Sequence, residues 1–294
     1  MQSYGELAMR QLIMDQLAKR TAESVTLTSA ELSAFKVGDE TIRLIDRGRG
    51  IWNPSAFDAT LTIISDPSSE YDDGEIGDSL YRYSYQKGTE EGINTKLRKA
   101  IRLKVPIIMF RKIATSNFVP VFPVYVVEDD RPNRQFILAL DESLRFLPNP
   151  TRLDSDQRRY AERVVRQRLH QPEFRAKVLL AYDTQCAVCV LKKGPLLDAA
   201  HITGDTESDG LPVVANGLAL CKIHHSAYDA NFLGISPDYV VHINAELLRE
   251  VDGPMLKHGI QEMDSRNIVV PARLTDQPDR ARLAARYEGF LAAG

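Results

Sequence analysis

The sequence predicts an α+β chain in two parts, a β-rich front domain and a small rear module, joined by a helical linker. Three observations carry the prediction. Short apolar runs punctuated by Gly, Pro and Asp fill residues 41–140. A break at Asn149-Pro150-Thr151 is followed by an arginine-rich stretch of helix-compatible composition. Beyond it, all 3 cysteines of the chain fall into paired metal-ligand spacing. With 294 residues, 44% hydrophobic and 26% charged, the chain has room for two domains of about 100–200 residues each. The expected division is a helical lead-in and front domain over 1–150, a linker over 151–182 and the rear module over 183–294.

Taken in order, Met9, Leu12, Ile13 and Leu17 stand at helical spacing within residues 3–19, and Thr28 and Ser29 suit the cap of a short second helix running to Phe35. The runs ATLTII, SLYRYSY, VPIIMF and VPVFPVYVV predict strands, with one helix across Asn94–Leu103. Asp154–Tyr182 carries Arg158, Arg159, Arg163, Arg166, Arg168 and Arg175; these form either a solvated helix face or a phosphate-contacting one, since phosphates dominate affinity for DNA. In the rear module, Leu196–Ile202 predicts a strand ending in a histidine, Thr203–Gly210 a polar loop, Tyr239–Asn244 a further strand and Ala245–Glu250 a short helix.

The bulk numbers exclude several classes. A formal net charge of −3 gives no global basic field, so any nucleic-acid contact rests on local patches. No apolar run approaches the roughly 18–20 residues of a membrane span, and the first twenty positions mix acids and bases with apolar residues, unlike a signal peptide. A cytoplasmic location and no membrane partner are expected. Three cysteines are too few for a disulfide framework and suit a metal site in a reducing compartment.

Cys186-Ala187-Val188-Cys189 is a C-x2-C knuckle, and Cys221-Lys222-Ile223-His224 is a C-x2-H knuckle. Together they offer four ligands for tetrahedral zinc, each pair gripping the ion from a tight turn. Such a staple gives a small module a core it could not otherwise build, so this zinc is expected to be structural. Paired knuckles alone name no function.

Between the knuckles stand His201, at the end of Leu196-Leu197-Asp198-Ala199-Ala200-His201-Ile202, and Asn216, in Asn216-Gly217-Leu218-Ala219-Leu220; His225 follows the last zinc ligand directly. With this order of His, Asn and His, the stretch Cys186–Ile235 resembles the HNH nuclease family, in the zinc-bearing form of McrA-type modification-dependent enzymes, whose ββα-metal fold holds one catalytic cation. The resemblance implies His201 as general base, Asn216 as a brace for the loop and the base, and His225 as a ligand of a catalytic Mg2+ or Mn2+. The chemistry agrees: phosphodiester hydrolysis needs a water deprotonated near neutral pH and a cation to stabilise charge on the leaving oxygen. The family often places a metal ligand immediately before the base, and here that position is Ala200. Asp198 on the same strand and Asp229, one helical turn after His225, are the candidates for the missing ligand. Asp229 is the favoured one; a hydrogen-bonding role at the strand end for Asp198 and an orienting role toward the imidazole for Asp229 stay open. His170, His242 and His258 fall outside the constellation.

In the front domain, Tyr71-Asp72-Asp73-Gly74, Gly77-Asp78, Leu80-Tyr81-Arg82-Tyr83-Ser84, Gly88 and Asn94 together resemble the SRA (YDG) domains, a PUA-like fold that flips a 5-methylcytosine out of duplex DNA. By that resemblance Tyr71 stacks on the base, Asp72 or Asp73 accepts from the cytosine amino group, and Tyr83 completes the cage. An extruded base does need aromatic faces and an acceptor for its amino group. Ser68-Ser69-Glu70 stands where the family has glycines before the first tyrosine, which bears on the identity of the base. Arg47-Gly48-Arg49-Gly50 offers a basic finger for the DNA backbone through Arg47 and Arg49, while packing is the safer reading of Trp52.

The expected function is a modification-dependent restriction endonuclease acting on double-stranded DNA, with a homodimer expected because a double-strand break needs two cuts. The alternatives are an HNH endonuclease reading an unmodified sequence and a zinc-containing reader without activity.

Overall fold

The computed structural model describes residues 3–46, 48–67, 74–76, 80–86, 92–146, 154–205, 207 and 209–293. Contacts divide the chain into two compact units, Met1–Glu173 and Phe174–Gly294.

The front unit opens with helix α1 (Ser3–Glu23), whose Glu6 in the first turn and Arg20 in the last suit the helix dipole. Strand β1 (Leu27–Thr28) leads into α2 (Ser29–Ser33), which Thr28 caps in a reciprocal box with Glu31. This second helix stops short of the expected Phe35, which instead starts a hairpin of β2 (Phe35–Val37) and β3 (Glu40–Ile42). Its turn uses Gly38 at φ +59°, a conformation glycine adopts without steric cost.

Strands β4 (Ile51–Trp52), β5 (Thr62–Ser65), β6 (Gly74–Ile76) and β7 (Leu80–Ser84) precede α3 (Thr95–Leu103). They are followed by β8 (Ile107–Ala114), β9 (Asn117–Asp130), β10 (Gln135–Ala139) and α4 (Ser155–Val165). The sheet runs β4-β5-β8-β9-β10-β7-β6, with β1 added on β9; the pair β5–β8 is parallel and the other pairs are antiparallel. Alternation along β8 feeds two cores. Ile107 and Met109 join Leu97 and Ala100 of α3 and Ala161, Val164 and Val165 of α4; Ile108 and Phe110 join Ile13, Met14 and Leu17 of α1. Burial on both faces explains the continuous apolar run of this strand. Buried Arg10 ties α1 to the sheet, pairing with Glu6 at 2.6 Å and donating to the carbonyls of Ala59, Thr60 and Pro106.

The segment expected as a linker is helical, but it serves two cores. After α4 comes a π-helical turn, Arg166–His170, and then α5 (Gln171–Ala181). Leu169 is buried with the front core, whereas Phe174 and Val178 belong to the rear unit. There, hairpin β11 (Leu197–His201) and β12 (Gly217–Cys221) is followed by α6 (Lys222–Asp229), β13 (Leu233–Ile235), β14 (Val241–Ile243), α7 (Ala245–Arg249), α8 (Pro254–Gly259) and α9 (Arg280–Ala293). Helix α9 braces α6: Arg286 donates to the carbonyl of Tyr228 at 2.6 Å and lies over its ring. Among the described residues no helix is long and apolar enough to cross a membrane.

Candidate nuclease site

The two knuckles converge. The backbone folds back on itself between Cys186 and Leu191 through paired hydrogen bonds, with Val190 at φ +62°. Cys221 ends β12 and forms the N-cap of α6, which places His224 in the first helical turn. The Nδ1 of His224 stands 3.2 Å from the Sγ of Cys221 and 3.5 Å from that of Cys186, and the Sγ atoms of Cys189 and Cys221 are 4.0 Å apart. All four ligand atoms lie within 4.8 Å of one another. Tetrahedral zinc, with bonds of about 2.3 Å to sulfur and about 2.0 Å to nitrogen, sets its ligands roughly 3.5–3.8 Å apart, so the cluster fits the ion in chemistry and size. His224 Nε2 is 2.8 Å from the carbonyl of Gly259. That contact fixes the tautomer: Nε2 keeps its proton and Nδ1 faces the metal.

The same hairpin and helix carry the remaining candidates. His201 ends β11, directly opposite Gly217 of β12, and is half-buried. Its ring stacks on Phe174 with centroids 4.1 Å apart and planes inclined by 15°. Aromatic pairs of this kind contribute about 0.5–1.5 kcal/mol beyond the area they bury. Asn216 is fully buried and spends its amide on the loop that follows His201. Its Oδ1 accepts from Thr203 N at 2.9 Å, and its Nδ2 donates to Thr203 O at 3.0 Å and Leu211 O at 3.1 Å. The asparagine therefore holds both ends of the loop beside His201.

His225 lies between two carboxylates. Its Nε2 is 3.3 Å from Asp229 Oδ2, one turn along α6, and its Nδ1 is 4.0 Å from Asp198 Oδ2. The carboxylates differ in their neighbours. Asp198 pairs with Arg175 at 3.1 Å and Lys222 at 2.5 Å. Burial opposes its ionisation, but the Lys222 hydrogen bond and the charges of Lys222, Arg175 and His225 outweigh it and hold its pKa below the ordinary value. Asp229 is 64% exposed. The pKa of His201 is lowered, first by burial; Asp205 pulls it upward, His225 downward and Asp229 upward. His201, His225 and Asp229 are thus close enough to feel one another's charge. The oxygen and nitrogen donors on His225 and Asp229 suit a divalent cation.

Elsewhere, Tyr83 is fully buried in the front core, donating from its hydroxyl to Gly50 O at 3.0 Å and accepting from Gln86 Nε2 at 3.1 Å. Arg47, Tyr71, Asp72 and Asp73 lie outside the described residues. Arg49 is exposed and lines a cleft of about 800 Å³, with Asp66, Gln86 and Lys112 as further polar walls and Ile64 and Phe118 as apolar ones. Trp52 packs under Arg43, donating from Nε1 to its carbonyl at 2.8 Å. Several helix arginines are engaged internally: Arg168 with Asp141, Arg159 with Asp156 and Arg175 with Asp198. His242 packs against Tyr287, and His258 pairs with Glu262 at 2.7 Å. Sequence reasoning missed Phe174, Lys222 and Asp205 as neighbours of the site. The acid and the lysine carry no pattern that marks them, and Phe174 sits in what looks like a linker.

Residues 186–236 match the HNH_2 family of HNH endonucleases, a span that contains every zinc and catalytic candidate of the rear unit. The rear unit carries an HNH endonuclease domain. No curated protein matches the chain. Among solved structures, similarity is found to the modification-dependent TagI restriction endonuclease, with 16% identity over 81% of this chain and 84% of that one and a TM-score of 0.28. The type IV phosphorothioation-dependent restriction endonuclease ScoMcrA is also similar, with 16% identity over 62% of this chain and 48% of that one and a TM-score of 0.21.

Proposed function

We propose that the chain is a modification-dependent restriction endonuclease that recognises a modified cytosine, 5-methylcytosine by preference, in duplex DNA and hydrolyses a phosphodiester bond with the HNH site. One observation supports the nuclease reading above others: His201 and His225, remote in sequence, share a small zinc-stapled hairpin-and-helix unit with Asn216 locking the loop beside the base.

In this reading His201, kept neutral by its partial burial, accepts a proton from the attacking water as the oxygen–phosphorus bond forms and the bond to the leaving oxygen breaks. His225 and Asp229 would hold the divalent cation, Mg2+ or Mn2+, since the charge of Asp198 is already balanced by Arg175 and Lys222. Held there, such a cation would supply stabilisation of negative charge on the phosphate and the leaving oxygen. Asp198 then fixes Lys222 and adds a negative charge 4.0 Å from the Nδ1 of His225.

Recognition of the modified base is assigned to the front unit on the SRA resemblance of residues 71–94, with base extrusion as its means. The cleft beside Arg49 is large enough for a nucleobase. A methyl preference resting on one apolar contact amounts to about 1–3 kcal/mol, or roughly 10–200-fold. Two chains acting together supply the two cuts of a double-strand break.

The test is cleavage of matched plasmids, unmodified or carrying 5-methylcytosine, with Mg2+ or Mn2+, by the wild type and His201→Ala. Cutting of methylated DNA alone, lost in the variant, is the expected result. Cutting of both plasmids removes the modification reading and leaves the nuclease.

A further inference from the structure

We propose that Phe174 is a positioning residue for the general base: its ring is the platform that sets the plane of the His201 imidazole. The proposal rests on the reading of His201 as that base.

A histidine that takes a proton through one ring nitrogen ordinarily has its other nitrogen held by a hydrogen bond, which sets tautomer and orientation. Among the described residues, neither ring nitrogen of His201 takes part in a hydrogen bond. Asn216 spends its side-chain hydrogen bonds on Thr203 and Leu211 rather than on the imidazole. The outer torsion of histidine is broad, so something else must narrow it. Phe174 lies against the face of the ring, at 4.1 Å and within 15° of parallel. It is only 2% exposed and is the fourth residue of an eleven-residue helix, a rigid support.

The hairpin is shaped to admit this platform. Gly217, opposite His201, has φ −128° and ψ 145°, values any residue adopts, so the backbone does not require glycine there. Space does. A Cβ at Gly217 would stand 2.4 Å from Val178 Cγ2 and 2.9 Å from Phe174 Cζ. Phe174 and Val178, one turn apart on α5, occupy the room a side chain would need. Glycine at 217 and phenylalanine at 174 are two halves of one arrangement whose product is the orientation of His201.

The experiment compares the wild type with Phe174→Leu, which keeps apolar bulk but loses the plane, Phe174→Tyr, which keeps the plane, and His201→Ala, on whichever plasmid the wild type cuts. A misplacement of about 1 Å at a reacting group can cost about 100-fold. Phe174→Leu is therefore expected to lower kcat by roughly 10-fold or more, with KM for DNA within about 2-fold, and Phe174→Tyr to restore kcat to within about 2-fold. A wild-type kcat in Phe174→Leu overturns the proposal, as does an equal loss in the leucine and tyrosine variants when both melt like the wild type. A direct measurement stands apart from folding of the variants: carbon-bound protons of His201 should resonate upfield of the other histidines in the wild type, and their absence from that position overturns the stacking. If His201→Ala cuts normally, the base assignment fails, and that outcome is separate from the ring-current result.

Discussion

At His201, burial disfavours the imidazolium by more than Asp205 and Asp229 favour it, and the pKa falls below the ordinary value near 6.5. The sign is definite. As pH falls, the unfolded chain takes up this proton before the folded one does, so the group subtracts stability from about pH 6.5 downward, and the folded base stays neutral to lower pH. The acid limb of kcat is expected below about pH 6.5, and a limb above that value would assign it to another group. The carboxylates give a second prediction. Asp229→Asn should raise the Mn2+ concentration needed for half-maximal cleavage by about 10-fold or more, following the usual cost of losing a ligand or its support, while Asp198→Asn should change it less. The reverse order would move the cation to Asp198. The cluster of Cys186, Cys189, Cys221 and His224 was legible in the sequence because tetrahedral coordination from two turns imposes a spacing. Phe174 was not, because a stacking partner leaves no spacing rule and this one stands 27 positions before His201.

Among the elements, α6 has the densest duties: its first turn presents His224 to the zinc cluster, and the next residue turns His225 toward the two carboxylates. The helix is short and depends on its surroundings, with α9 clasping Tyr228 through Arg286 and α8 offering Gly259 to His224. Because zinc binding in such modules is folding free energy, Cys221→Ser should lose the metal and destabilise the rear unit by on the order of 3 kcal/mol or more. Metal content and thermal melting check it; an unchanged melting profile without zinc would mean that the hairpin and helix stand on packing alone. Helix α6 came only with the family resemblance, whereas the strand that ends in His201 was readable from its apolar run and the loop after it from its polar composition, as was the cap of α2 from Thr28. The C-terminal helices that support α6 were not, since their docking depends on single contacts such as the one between Gly259 and His224.

For the molecule as a whole, the proposed cutting by one HNH site per chain, with two chains acting together, predicts that linearisation of a plasmid rises more steeply than first order with enzyme concentration while nicking stays first order. First-order linearisation would instead point to two successive nicks by a single chain. The change of pattern near residue 150 predicts a boundary there, whereas contacts divide the chain between Glu173 and Phe174. The helical segment is amphipathic for both cores in turn, and composition does not say that Leu169 serves one and Phe174 the other. Arg10 carries a last consequence, which concerns time. It reaches the carbonyl of Pro106, 96 residues further along, and Ile13, Met14 and Leu17 share their core with Leu32 and Phe35 nearby and with Ile108, Phe110 and Phe118 far downstream. At about 5–20 residues per second on the ribosome, that core waits roughly 5–20 s for its last members. For that interval the nascent chain shows a half-built core to the cell, so a slowed ribosome or a scarcity of chaperones should reduce the yield of this protein before it affects any step that the finished fold performs.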